Sequence, residues 1–92
     1  MKTGSLYRLN RYHFFFPSKE VIRACYRFDS DSEFEVFIEN QKNISSYGPE
    51  DIFVLLKQDF LEEAGSIYNV LFSTGEVGWI ISIENDFVEV LP

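Results

Sequence analysis

Two side chains of this sequence have the reactivity that nucleophilic catalysis requires: the only histidine, His13, and the only cysteine, Cys25. A cysteine nucleophile needs a basic histidine beside it and a third group that orients the histidine. No signature flanks either residue and no orienting group is identifiable, so we expect Cys25 to be a small buried apolar side chain. One cysteine and one histidine also fall short of the three or four ligands of a zinc site. The sequence therefore predicts no catalytic residue, and we expect that the protein is not an enzyme.

A short acidic segment, Asp29-Ser30-Asp31-Ser32-Glu33, resembles the start of a calcium-binding loop, with oxygen ligands at alternate positions. It lacks the glycine at the sixth position, where Phe34 stands, and the bidentate glutamate at the twelfth, where Asn40 stands. The glycines of the chain are scattered and form no phosphate-binding loop. We expect this segment to be a solvated turn, and no metal or cofactor is predicted.

Acidic residues outnumber basic ones in the 92-residue chain, fifteen against eight, which gives a formal charge of −7. The imbalance is not uniform along the chain. Residues 1–28 contain six basic residues and one acidic residue, a charge of +5, whereas residues 29–92 contain two basic residues and fourteen acidic ones, a charge of −12. Two interpretations stay open: opposite charges pair across neighbouring strands, or the two regions present separate faces to separate partners.

The basic region is also rich in aromatic residues and predicts one candidate binding face. Arginines interleaved with Tyr and Phe are typical of surfaces that bind single-stranded nucleic acid by stacking and phosphate contacts. The charge of −7 opposes such binding because it repels a polyanion, so nucleic-acid binding is the alternative function here. The arginines of this face are Arg8, Arg11, Arg23 and Arg27.

The acidic region predicts a different surface, which gives the favoured function. Phe37 shares the charged side of its predicted strand, and an aromatic anchor inside a polar rim is the usual design of an interface hot spot. We therefore predict a non-catalytic protein-interaction module, an acidic accessory, structural or inhibitory subunit that docks on a larger protein with a basic surface. The predicted exposed anchors are Phe37 and Tyr47, and their predicted acidic rim consists of Glu33, Glu35, Glu39 and Glu50.

Length and composition predict a single folded domain over residues 1–92. The chain is 46% hydrophobic and 17% aromatic, which is too apolar for a disordered chain, and its length supports one modest core. No apolar segment approaches the roughly 20 residues needed to cross a bilayer, and the N-terminus lacks the apolar region of a signal peptide. A single cysteine cannot form an internal disulfide. We therefore expect a soluble, cytoplasmic protein.

Helix and strand patterns overlap in one segment, residues 18–28. Ser18 has the side chain of a helix N-cap, and Val21, Cys25 and Phe28 recur at helical spacing. The same segment also has residue types that are typical of a strand, with two arginines on one face. We favour the strand and keep the short helix as the alternative.

The remaining segments predict short strands joined by turns. Residues 67–72 and 77–81 flank Ser73-Thr74-Gly75-Glu76, and four polar residues with a glycine between two β-rich segments are typical of a hairpin. Other strands are predicted over residues 5–16, 33–39, 52–56 and 87–91, with 52–56 covered on both sides because it has no polar face. Turns or loops are predicted over residues 29–32, 40–51, 57–65 and 83–86, with a turn of helix as the alternative for 57–65.

Residues 67–80, followed by Asn85-Asp86-Phe87-Val88-Glu89-Val90, resemble the second half of an SH3-like barrel, a likeness that covers about the last 40 residues. In that family a distal hairpin ends in a Gly-aromatic-apolar step, here Gly78-Trp79-Ile80, and a 3₁₀ turn leads to the last strand. The resemblance implies an all-β fold, a small SH3-like barrel of five to six strands with at most one short helix. It also implies that the first strand, around residues 3–7, pairs with the last strand.

The residues by which SH3 domains bind polyproline are absent from this chain. Its first strand reads Ser5-Leu6-Tyr7-Arg8-Leu9 in place of an Ala-Leu-Tyr-Asp-Tyr start, and Ile67-Tyr68 stands where the family has a Trp. Ile81-Ser82 follows Trp79-Ile80 where the family has a Pro. Because polyproline recognition depends on an aromatic-lined groove, we do not expect it here. The hairpin also resembles that of short single-barrel proteins of bacteria and phages.

Overall fold

The computed structural model describes residues 2–25, 44–81 and 87–90. Within these residues the chain is mainly β-strand, and its single helix of seven residues is too short to cross a membrane. The predicted all-β class with at most one short helix is therefore confirmed. The elements in chain order are β1 (Leu6–Leu9), β2 (His13–Phe15), α1 (Lys19–Cys25), β3 (Ser45–Tyr47), β4 (Ile52–Leu61), β5 (Gly65–Phe72), β6 (Val77–Ile81) and β7 (Phe87–Glu89).

Five antiparallel strands form the main sheet in the order β6-β5-β4-β1-β7. Strand β1 lies between β4 and β7, where Tyr7 is paired with Phe53 on one side and with Glu89 on the other. The first strand therefore pairs with the last described strand, as the resemblance implied. Strands β2 and β3 form a second sheet, which joins the main sheet at β6 through two backbone hydrogen bonds of 2.8 Å between Phe16 and Trp79.

One face of the main sheet, the inner face, packs with β2 and β3 in the larger hydrophobic cluster, here called the inner cluster. The ring of Phe72 stacks on Tyr47 with 3.7 Å between centroids and meets Phe15 edge-on at 5.3 Å. Gly78 permits this close packing, because a β-carbon there would come within 2.6 Å of both the Phe15 ring and the Phe16 carbonyl oxygen. The buried members are Tyr7, Leu9, Phe15, Tyr47, Phe53, Leu55, Val70, Phe72 and Ile80.

A second, smaller cluster lies on the opposite face of the sheet, the outer face. Successive residues of a strand point to opposite faces, so Val70 and Phe72 of β5 join the inner cluster and Ile67 joins the second cluster. Helix α1 packs there through its buried residues Ile22 and Cys25. The sheet thus separates two apolar layers, one of which contains the helix.

Helix α1 corrects the strand that was favoured for residues 18–28. The Ser18 hydroxyl accepts a hydrogen bond of 3.3 Å from the Val21 amide and caps the first turn. Ile22 and Cys25 are buried on the side of the helix that faces the sheet. Burial of this side against the outer face stabilises the helix and overrides the strand propensity of the segment. The last three residues of the segment lie outside the described residues.

Strand β4 is longer and more exposed than the sequence predicts. It continues through the predicted loop over residues 57–65, and the turn is confined to residues 62–64. Ile52 and Leu56 are 36% and 38% exposed, so the expectation that residues 52–56 are covered on both sides is wrong. One face of this apolar segment fills the core and the other meets solvent.

Two further predictions need correction. Residues 5–16 form two strands, β1 and β2, which belong to different sheets and not to one bent strand. The predicted loop over residues 40–51 contains strand β3, which pairs with β2. The β5–β6 hairpin and strand β7 are confirmed where they are described, whereas the predicted strand over residues 33–39 and the turns over 29–32 and 83–86 lie outside the described residues.

Candidate interaction surface

Four neighbouring strands present one apolar side chain each in a row on the outer face of the main sheet. Leu6 lies opposite Val54, Val54 lies opposite Leu71, and Leu71 lies opposite Val77. At the ends of the row, Leu6 is 44% exposed and Val77 is 55% exposed, and the two central residues are half-buried. An antiparallel sheet that faces water usually carries polar side chains on that face. This row is therefore unusual for a solvated surface.

The apolar surface extends from this row along β4 and onto β7. Ile52 is exposed beside Val54, Leu56 is exposed at a β-bulge between Leu55 and Lys57, and Val88 is 41% exposed and lies opposite Arg8. This exposed apolar surface arises from the continuous apolar segment of β4, which places apolar side chains on both faces of the strand. We call seven residues together the outer apolar face: Leu6, Ile52, Val54, Leu56, Leu71, Val77 and Val88.

Helix α1 covers the other end of the same sheet face. Ile67 and Leu71 lie on the same side of β5, yet Ile67 is fully buried in the cluster with α1 while Leu71 is only half-buried. On β6, Ile81 packs against that cluster, whereas Val77 is more than half exposed. Within the described ranges, the apolar outer face is thus covered at one end and exposed at the other.

Two basic side chains, Arg8 and Lys57, project from the strands that form the outer apolar face. Arg8 lies between Ile52 and Val88 in the strand register. Its guanidinium is 3.8 Å from the Glu50 carboxylate, and the two side chains are 41% and 79% exposed. A pair as exposed as this contributes at most about 1 kcal/mol to stability. Arg8 therefore keeps the capacity to meet another carboxylate.

Asp59 ties helix α1 to the outer face. Its carboxylate accepts a hydrogen bond from the Lys19 ammonium, which lowers the pKa of Asp59 below its usual value, and the Lys57 ammonium lies 4.0 Å away. The Lys19 ammonium also lies 5.0 Å from the centroid of the Trp79 ring, within cation–π distance. Among the described residues, the ion pairs Lys19–Asp59 and Arg8–Glu50 thus join the basic and acidic regions of the sequence at two points.

Tyr47, predicted as an exposed anchor, is instead part of the inner cluster. It is only 9% exposed, and its hydroxyl donates a 2.7 Å hydrogen bond to Glu76 and lies 2.8 Å from the Thr74 hydroxyl. The prediction of exposure is wrong because Tyr47 belongs to strand β3 and faces inward, with Phe72 stacked on it. Glu50 is exposed, and the other predicted residues of this surface, Glu33, Glu35, Phe37 and Glu39, lie outside the described residues.

The aromatic residues of the basic region that the structure describes fall into two groups. Tyr7, Phe15 and Phe16 are buried in the two clusters. Tyr12 and Phe14 are 78% and 43% exposed and alternate with the inward-facing residues of the β2 segment. Of the arginines predicted for this face, Arg8 is half-buried, Arg11 and Arg23 are exposed, and Arg27 lies outside the described residues.

Cys25 and His13 lie in different apolar environments. Cys25 packs with Ile22 and Ile67, and burial raises the pKa of its thiol. The His13 ring lies 5.6 Å from the ring of Phe87. Cys25 is thus the buried apolar side chain that the sequence predicts, and its raised pKa is the opposite of what a cysteine nucleophile needs. Among the described residues there is no group of three or more side chains that could hold a metal ion.

Sequence reasoning missed the outer apolar face because it placed residues 52–56 in the interior on both sides. Strand alternation held a signal that could have revealed it. Leu6 alternates with the inward-facing Tyr7, and Val77 with the inward-facing Gly78, at positions where a solvated strand would carry polar residues.

Comparisons of this chain with protein-family models, with curated proteins and with solved structures find no match. The interpretation of the outer apolar face therefore rests on its own geometry and chemistry.

Proposed function

We propose that this protein is a non-catalytic interaction module, an accessory, structural or inhibitory subunit that docks on a larger protein assembly through the outer apolar face. The observation that carries the proposal is the row of Leu6, Val54, Leu71 and Val77 across four strands, with both ends about half exposed. With Ile52, Leu56 and Val88, the exposed apolar area is on the order of 400 Å², a size that often marks a binding site on a small protein.

We further propose that the fold is an SH3-like barrel and that the protein acts in the cytoplasm. The strand order, with β1 beside the last described strand and next to the β4–β5–β6 meander, supports the barrel. The free, buried Cys25 suits a compartment in which thiols stay reduced. Barrels of this kind serve unrelated binding modules, so the docking function is argued from the outer apolar face and not from the fold.

The sequence also predicts a second docking surface around Phe37, with a basic partner. Its acidic rim would be Glu33, Glu35 and Glu39, and the charge of −12 in residues 29–92 supports a basic partner. Phe37→Ala combined with Glu35→Lys is expected to weaken capture of that partner. Unchanged capture would remove this surface from the proposal.

The docking proposal is tested by affinity capture from the native host with the double variant Leu6→Ser/Val77→Ser. Both substitutions fall on exposed positions and leave the charge unchanged, so the fold is expected to persist, as circular dichroism would verify. The matched control is Phe60→Ser, because Phe60 is a 65% exposed aromatic residue outside the outer apolar face.

Loss of the captured partner with the double variant and its retention with Phe60→Ser are expected. If the folded double variant captures the same partner in the same amount as the unmodified protein, the outer apolar face is not the docking surface and the proposal falls.

A second candidate function, binding of single-stranded nucleic acid, is favoured by the exposure of Tyr12 and Phe14 beside the exposed Arg11. Exposed aromatic rings next to arginines can stack on bases while the arginines contact phosphates. A labelled thymidine oligonucleotide titrated at two salt concentrations tests it, with Tyr12→Ala as the variant. No measurable affinity at low salt would eliminate this function.

A further inference from the structure

We infer that the partner of the outer apolar face presents an amphipathic helix, whose apolar stripe lies across β4 and β5 and whose flanking residues are acidic. This inference rests on the proposed docking function and specifies the chemistry of the partner.

The first support is the covered end of the same sheet face. There α1 buries Ile22 and Cys25 against Ile67 and Leu61. On β6, Trp79 continues the apolar surface from Ile81 to Val77, whereas on β5 Asn69 lies between Ile67 and Leu71. A helix packed on a sheet face is one of the standard layer arrangements of protein domains, and α1 already packs in this way at one end of the face. We therefore expect a helix to fit the exposed end as well.

The second support is the size of the outer apolar face. Strands lie about 4.8 Å apart, so the row across four strands is about 14 Å wide, and Ile52 to Leu56 span about 13 Å along β4. An α-helix is about 10 Å across, and three turns are about 16 Å long. A helix of three turns laid across the strands therefore spans the four-strand row and covers about 10 Å of the roughly 13 Å along β4, and a fourth turn reaches Val88 on β7.

A second copy of this chain fits the face less well. A stable dimer buries about 800 Å² on each partner, roughly twice the area that the outer apolar face exposes. Two copies would also each carry a formal charge of −7 and repel one another. The area and the charge thus both favour a partner helix over self-association.

The third support is the charge that surrounds the apolar residues. Arg8 and Lys57 project from β1 and β4, with exposed fractions of 41% and 63%. Each forms a long ion pair, Arg8 with Glu50 at 3.8 Å and Lys57 with Asp59 at 4.0 Å, and pairs this long and exposed leave both cations able to meet a further carboxylate. The outward residues of β5 and β6 next to the face, Asn69 and Trp79, are uncharged. A helix with acidic residues beside its apolar stripe therefore complements the charges that it would touch.

Because the chain has a net negative charge, the sign of the charge on the partner helix tests the inference. A charge of −7 attracts a basic helix from a distance, but this attraction is screened beyond about 8 Å at physiological salt. The contacts with Arg8 and Lys57 favour an acidic helix. The long-range attraction thus favours a basic helix and the direct contacts favour an acidic one. We expect the direct contacts to decide.

The experiment uses two labelled synthetic peptides of about 18 residues, five turns of helix, with the same leucines at helical i, i+3, i+4 and i+7 spacing. One peptide carries glutamates beside the leucine stripe and the other carries lysines. Binding to the full chain is followed by fluorescence anisotropy at low and high salt. We expect the glutamate peptide to bind at least about ten-fold more tightly, with an affinity that falls as salt rises.

Three variants locate the binding on the molecule. Leu6→Ser/Val77→Ser is expected to abolish binding of the glutamate peptide, and Arg8→Gln/Lys57→Gln is expected to remove its advantage over the lysine peptide. Phe60→Ser, the exposed control outside the face, is expected to leave both affinities unchanged. A gain in helical circular dichroism on binding would show that the peptide is a helix when bound.

Several results would overturn the inference. These are equal or tighter binding of the lysine peptide, no binding of either peptide, or dimerisation in sedimentation equilibrium that Leu6→Ser/Val77→Ser abolishes. An unreactive thiol in Leu6→Cys would also overturn it, because the isolated chain would then cover the face itself. If capture of the native partner is lost in Leu6→Ser/Val77→Ser while neither peptide binds, only the helical partner is wrong. If Leu6→Ser/Val77→Ser captures the native partner as the unmodified protein does, the proposed docking function is wrong as well.

Discussion

The β4 segment 52–56 carries apolar side chains on both the inner and the outer face of the main sheet, but only its inner-facing side chains are buried. On β4, Phe53 and Leu55 are 1% and 0% exposed, whereas their neighbours Ile52 and Leu56 are 36% and 38% exposed. One apolar face is enough to fold an antiparallel sheet, so the second exceeds what folding requires. The same residue type therefore stabilises the fold on one side of the strand, whereas on the other side it is exposed to solvent, where we propose that a partner docks.

The largest expected effect comes from truncating adjacent leucines of β4 on the two faces. Leu55→Ala removes a fully buried side chain from the inner cluster and is expected to cost about 2 to 5 kcal/mol of the free energy of unfolding. Leu56→Ala, on the outer side, is expected to cost less than about 1 kcal/mol. Urea denaturation of the two variants measures the difference, and equal losses would show that the outer side is also core.

A smaller effect is expected at two glycines. Gly78→Ala places a β-carbon within 2.6 Å of the Phe15 ring and the Phe16 carbonyl oxygen, so β2 must shift away from β6, at a cost of about 1 to 3 kcal/mol. In Gly48→Ala the three atoms nearest to the new β-carbon all belong to the ring of Tyr12, which is 78% exposed and can move away. Thermal unfolding should therefore separate the two variants clearly. A loss in Gly48→Ala as large as that in Gly78→Ala would contradict this account.

Local features of the sequence predict the hairpin and the all-β class. The turn at Ser73-Thr74-Gly75-Glu76 needs only its own residues, and Gly75 has the positive φ of 91° that such a turn uses. Helix α1 could not be predicted in the same way. Its choice over a strand depends on burial of Ile22 and Cys25 against residues of β4 and β5, which are distant in the sequence.

The outer apolar face could not be predicted because it exists only through strand pairing. Leu6, Val54, Leu71 and Val77 are far apart in the chain, and the registers of β1, β4, β5 and β6 bring them into one row. The error at Tyr47 has the same cause. Its segment reads as a loop, and pairing with His13 of β2 turns its ring into the inner cluster.

Tyr47→Phe tests how much the hydrogen bonds between the inner cluster and the β5–β6 turn contribute to stability. The variant keeps the ring but loses the hydroxyl contacts with Thr74 and Glu76, with an expected loss of about 1 kcal/mol in unfolding free energy at neutral pH. Tyr12→Phe, at a 78% exposed position, is the matched control and should change nothing. Equal stability of the two variants would show that the hydroxyl contacts do not fasten the turn.

The same variant makes a prediction about pH. Burial, with the nearby Glu76 carboxylate, raises the pKa of Tyr47 above its usual value of 10.0. The stabilisation from its protonated form is therefore complete below about pH 10 and is lost as the pH rises towards the folded-state value. The stability advantage of the unmodified protein over Tyr47→Phe should shrink above pH 10 in urea denaturation. A constant advantage would contradict the raised pKa.

The smallest expected effect concerns Asp59, which joins the outer face to α1. Because the Lys19 ammonium lowers the pKa of Asp59 below its usual value of 3.8, the folded state is stabilised above that pH, and the stabilisation is lost as the pH falls through the lower folded-state value. Asp59→Asn should therefore be less stable than the unmodified protein at neutral pH, and the difference should vanish in strong acid. Glu50→Gln is the matched control, since the Glu50 carboxylate is 79% exposed and lies 3.8 Å from Arg8, and it should change stability less. If the difference in unfolding free energy between Asp59→Asn and the unmodified protein persists in acid, the charge of Asp59 does not account for the stabilisation.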